Sequence, residues 1–131
     1  MHAARILNES FIVQRFLLGN PASTLRTAVT ALGVQSTLFS RIEPLAAASD
    51  DVADLARLGC RTLSDALDEC RDHANSGDVI GVVDCLSRVV SAHRTAKGLL
   101  LGIVELGDTN IANLAQLGIN LAASILDDLG A

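Results

Sequence analysis

Apolar positions recur every three or four residues along most of this chain, and that spacing predicts five helical segments divided by four turns. The cleanest repeat runs through Val79, Val82, Leu86, Val89, His93, Ala96, Leu100 and Ile103, alternating steps of three and four as the seam of a bundle does. Before it, Val52, Leu55, Gly59, Leu63, Ala66, Cys70 and Ala74 form a stripe, with Arg57, Arg61, Asp65, Asp68 and Asp72 on the other side. After it, Ile111, Leu114, Gly118, Leu121 and Ile125 share a face that Leu117, Ala122 and Leu129 widen. Nearer the start, Leu25, Val29, Leu32, Ser36, Phe39 and Ile42 mark another segment. An imperfect stripe of Ile6, Leu7, Phe11, Val13, Phe16 and Leu17 marks the first, from about Ala3 to Leu18.

The turns are written in residues that stop or cap helices. Gly19-Asn20-Pro21 ends the first segment and opens the second, which is expected to finish before Pro44 because proline disfavours helical geometry in the residue ahead of it. Ser49 and Asp50 are caps for the third. Asn75-Ser76-Gly77-Asp78 predicts a helical hairpin folding at Gly77, and Leu106-Gly107-Asp108 stops one helix and caps the next. Gly98 and Gly102 each cost roughly 1 kcal/mol against alanine inside a helix, so a bend or break is expected there. Helices joined by short loops pack as antiparallel neighbours. The expected fold is all-α: an antiparallel up-and-down four-helix bundle with an N-terminal helical extension or hairpin. One domain spans 1–131, with N-terminal helices over 1–46 and bundle-core helices over 50–129.

Composition narrows the classes. At 131 residues, half of them apolar, the chain can bury one core, and with no Trp or Tyr that core must come from aliphatic side chains at helical spacing. The net charge of −5 and the scattering of ten basic residues between 5 and 97 argue against nucleic acid as a partner. A membrane span is not expected, since the most apolar run, Gly98 to Val104, is closed by Glu105 and falls far short of the roughly 20 residues a bilayer needs. Gln14 and Arg15 interrupt the apolar residues near the start, so no signal peptide is visible; a cytoplasmic chain, or one whose leader lies outside this sequence, is expected on that ground.

Three cysteines carry the sharpest geometric expectation. Cys70 and Cys85 lie symmetrically about the hairpin turn and are candidates for a disulfide; the other reading is a pair of small buried core thiols. Cys60 has no thiol opposite it. With His73 one helical turn from Cys70 the set resembles part of a zinc site, but structural zinc takes four ligands and His93 is about 20 residues further along, on the order of 30 Å on a straight helix. No metal or other cofactor is expected. The acidic stripe of Asp65, Asp68, Glu69 and Asp72 lacks the paired Glu-x-x-His motifs of di-iron bundles and is expected to be a solvated face. No Gly-x-Ser-x-Gly elbow or Gly-rich phosphate loop occurs, and catalysis is not expected. His93 on the seam is expected to be a core histidine with one hydrogen bond, and Asn120 a polar residue bonding a neighbouring helix.

From Asn20-Pro21-Ala22-Ser23 onward the order of elements resembles the plant invertase inhibitor and pectin methylesterase inhibitor family. The matching features are Cys60 with Leu63 three residues later, the Gly77-Asp78 turn, Ser87 with Thr95 eight residues on, and Leu117-Gly-Ile-Asn120-Leu-Ala122 in the last helix. The chain departs from the family pattern at Ala96, where the family has the cysteine that would pair with the position of Cys60, and before Cys60, where the family's N-terminal cysteine pair has no counterpart. Ser64 stands at a usual tyrosine, Leu67 at a usual alanine, and no Pro-Lys-Phe element occurs.

The resemblance implies a helical bundle that inhibits a carbohydrate-active enzyme by stoichiometric binding, without chemistry of its own. It also implies a protein target of the pectin methylesterase or invertase type and a secreted (cell wall or apoplast) or vacuolar setting in a plant. Asp65, Asp68, Asp72, Arg88 and Arg94, on the exposed sides of the hairpin, are the expected contact face. The rival expectation is a self-association or scaffold module, its apolar excess forming a homo-oligomer seam. A bundle holding a small apolar ligand is a third.

Overall fold

Side-chain caps fix where two of the helices begin. Ser49 Oγ accepts the backbone N–H of Val52 at 3.4 Å, and Asp108 Oδ1 accepts that of Ile111 at 2.9 Å, each satisfying a donor that the first turn leaves without an intrahelical partner. At the C-terminus Gly130 adopts a left-handed φ of 75°, and the N–H groups of Gly130 and Ala131 turn back onto the carbonyls of Asp127 and Leu126. That is the glycine-dependent stop, which a residue with a Cβ adopts only under strain.

These signals belong to a computed structural model that describes residues 21–46, 49–76 and 79–131, with side chains described at 25–46, 49–71 and 81–131. The expected first helix, 3–18, lies outside the described residues. The rest is four helices: α1 (Pro21–Leu45), α2 (Asp50–Ser76), α3 (Val79–Leu106) and α4 (Thr109–Asp128), with no strand among the described residues. The protein is an all-α four-helix bundle.

Contacts across the helices give its direction. Glu43 of α1 meets Arg57 of α2, Cys70 of α2 meets Cys85 of α3, and Gly118 of α4 lies against Leu100 of α3, so chain neighbours run antiparallel. Gln35 also reaches Gly118, and His93 reaches Ala28, which sets α1 antiparallel to α4 and parallel to α3. Among the described residues α1 touches all three other helices, whereas α2 and α4 do not touch each other, so the bundle is a square closed along its α1–α3 diagonal. To the shared core α1 supplies Leu25, Leu32, Phe39 and Ile42, all fully buried.

Three local expectations need correction. α1 continues through Pro44 to Leu45. Pro44 has no N–H to give to the Ser40 carbonyl one turn earlier, and the turn is held nonetheless by buried Ile42 and Ala46, whose N–H reaches the Ile42 carbonyl at 3.1 Å. α3 runs unbroken through Gly98 and Gly102, because Leu100 between the glycines and Ile103 just after them, both fully buried, anchor that turn. Leu117 does not widen the α4 stripe: it is exposed, one position before buried Gly118.

Candidate functional site

The helical hairpin of α2 and α3 brings Cys70 and Cys85 face to face. Each Sγ points at the other residue's backbone carbonyl, Cys70 donating to Cys85 at 3.7 Å and Cys85 to Cys70 at 3.6 Å, with both side chains almost wholly buried. Both are thiols here. They differ in acidity: the neighbouring Cys85 side chain holds Cys70 below its ordinary value, with Arg88 acting the same way and burial and Glu69 acting against it. Cys85 is pushed up by the Cys70 side chain, then by burial and the neighbouring Cys70 charge. Cys60, half-buried ten positions earlier on α2, turns instead toward α1, where Ser40 Oγ is 3.3 Å away and the Ser36 carbonyl 3.7 Å.

Outside the thiols lies a groove of about 600 Å³, lined by Glu69, Cys70, Asp84, Cys85, Ser87, Arg88 and Ser91. Arg88 Nε and Glu69 Oε2 bridge the two helices there at 2.6 Å. Both side chains are more than half exposed, so the pair contributes about 0–1 kcal/mol and mainly fixes the positions of two charges. Of the expected contact residues, Asp65 and Asp68 are exposed on α2, and Arg88 and Arg94 are exposed on α3. Arg88 is joined to α2 through Glu69, and the side chain of Asp72 lies outside the described ones. What is assembled is a hairpin with an aliphatic inner side and a mixed-charge outer side. Among the described residues no three His, Cys, Asp or Glu side chains stand close enough to hold a metal ion.

No family model, curated protein or solved structure matches this chain. The inhibitor resemblance therefore stands on the residue pattern alone. No described helix is long and apolar enough to cross a membrane.

Two further places matter. Between α1 and α4 an apolar groove of about 320 Å³ is formed by Val34, Thr37, Leu38, Arg41, Leu117, Gly118 and Leu121, where Val34 is 54% and Leu117 62% exposed. The helical stripe predicts Leu117 inward, and only its position beside Gly118 betrays the groove: Gly118 admits Leu38 and Leu100 so closely that α1 and α3 fill the space a side chain would take. Beneath the groove lies Gln35, fully buried, donating its Nε2–H to the Gly118 carbonyl at 2.7 Å while its Oε1 has no partner. Sequence patterning misses it, since Gln35, followed directly by Ser36 and Thr37, reads as surface.

His93 is a core histidine, its Nε2 3.0 Å from the Ala28 carbonyl, which can only accept; Nε2 therefore carries the proton and Nδ1 faces the core without a partner. Burial lowers its pKa, the Ala28 bond opposing. Asn120 does not reach another helix; it is exposed and accepts from Gln116 on α4 itself at 3.0 Å.

Proposed function

We propose that this bundle acts by stoichiometric protein binding, as a non-catalytic inhibitor of a carbohydrate-active enzyme of the pectin methylesterase or invertase type. One observation carries the reading: the α2–α3 hairpin exposes Asp65, Asp68, Arg88 and Arg94, while Leu63, Ala66, Leu86 and Val89 lock its inner side into the core. A surface held this way by buried packing loses little conformational freedom on docking, so more of each contact appears as affinity. Charges of both signs on it give orientation and encounter rate more than binding energy. The order of Cys60, Leu63, Gly77, Asp78, Ser87 and Thr95 along the same hairpin supplies the choice of target class, and a secreted or vacuolar plant setting belongs to that proposal.

Titrating a plant pectin methylesterase and, separately, an acid invertase with the purified chain tests this. The expected result is that the activity of one enzyme falls to a plateau at about one chain per enzyme. If both remain fully active at large molar excess, the inhibitor reading is wrong. The α1–α4 groove favours a second reading in that event, since Val34 and Leu117 would then mark the seam of a homo-oligomer scaffold.

A further inference from the structure

We propose that Cys70 and Cys85 are a redox couple, a buried dithiol that a hydroperoxide entering the Glu69–Arg88 groove converts to a disulfide, tying α2 to α3 beside the hairpin turn. The proposal is independent of the inhibitor reading. Its geometric basis is threefold. Cys70 and Cys85 are held side by side by reciprocal bonds, each Sγ to the other's carbonyl, across a chain separation of 15 positions. Both residues border the groove that otherwise holds only polar and charged side chains, and that groove, at about 600 Å³, has room for a small oxidant just outside the buried sulfurs. Finally, the hairpin leaves Cys60 on another face of α2, so the pair cannot exchange with it without unfolding.

The same arrangement divides the labour. Cys70, next to the Glu69–Arg88 bridge of the groove and with its thiolate favoured by the Cys85 side chain and by Arg88, is the attacking sulfur, and Cys85, kept protonated, is the resolving one. The Cys70 thiolate attacks one peroxide oxygen, the O–O bond breaks, and hydroxide leaves, giving a sulfenic acid on Cys70. With the Cys70 charge consumed, one cause of the raised Cys85 pKa is gone. Cys85 then loses its proton and attacks the Cys70 sulfur, and the expelled hydroxide takes that proton as water. Two thiols have given up two electrons and two protons, and one peroxide has become two waters. The bond closes the hairpin loop covalently and removes disorder from the unfolded chain.

The test exposes the folded, reduced chain to a few equivalents of hydrogen peroxide, unfolds it, alkylates the remaining thiols and maps them by mass spectrometry. The expected product has Cys70 linked to Cys85, Cys60 alkylated, and full reversal by dithiothreitol; its melting midpoint without reductant lies above that of the reduced chain by about 10 °C. In Cys85→Ser, peroxide should leave Cys70 as a sulfenic acid that dimedone captures, and in Cys70→Ser, Cys85 should stay a thiol. Three alkylated cysteines in the wild-type chain, a link through Cys60, or a linked product that melts no higher than the reduced one would each overturn the proposal, whether or not the variants fold.

Discussion

His93 shows what a single buried polar side chain demands. Its ring sits fully inside the bundle with one hydrogen bond, to Ala28, and burial holds its pKa below the ordinary 6.5. Below about pH 6.5 the unfolded chain therefore binds a proton that the folded chain refuses, so this contribution to stability is complete above that pH and is lost as pH falls toward the folded value. The expected slope is up to about 1.4 kcal/mol per pH unit over that window. His93→Gln keeps a donor for the Ala28 carbonyl and removes the titration. Urea unfolding of the two proteins at about pH 7 and pH 5.5 should show the wild type losing more stability than the variant; equal losses would mean that the ring is not the group responsible. The core placement of His93 was readable because it falls on an unbroken seam. Gln35 was not, because its burial depends on Gly118 of a helix more than eighty residues away, and no local pattern encodes that approach.

At the scale of the element, the four helices were legible wherever three-and-four spacing coincided with a cap. The α3 seam through Leu86, Val89, Ala96, Leu100 and Ile103 is buried throughout, and Asp108 opens α4 as its position after Gly107 suggests. Misreadings arose where tertiary packing outweighs local preference: Pro44 inside α1, and α3 running straight through two glycines. Glycines in helices consequently divide into two kinds. A Cβ on Gly118 would come within 2.6 Å of both Leu100 Cδ1 and Leu38 Cδ2 and within 2.8 Å of Gln35 Oε1, whereas one on Gly98 would meet nothing within 4 Å. Gly118→Ala should destabilise by about 1–3 kcal/mol, the usual cost of overpacking. Gly98→Ala should stabilise by roughly 1 kcal/mol by restricting the unfolded backbone in favour of helix. Denaturant midpoints at unchanged m-value measure both, and a stabilising Gly118→Ala would show that α4 is not in close contact with α1 and α3.

For the whole molecule, the proposed inhibitor and its rival scaffold reading place another protein on different surfaces. The charged outer side of α2 and α3, in a chain of net charge −5, is the docking face of the proposed inhibitor and would suit a basic partner. The apolar groove between α1 and α4 favours a second copy instead. Packing decides the fold and leaves the choice of partner to these surfaces, which is why the bundle could be read from aliphatic spacing while the target rests on a residue order. Sedimentation velocity of the chain alone, and mixed with pectin methylesterase or with acid invertase, separates the two most directly. The account predicts a 13.7 kDa monomer alone and a one-to-one complex with one of the enzymes. A stable homo-oligomer that leaves both enzymes sedimenting unchanged would contradict it.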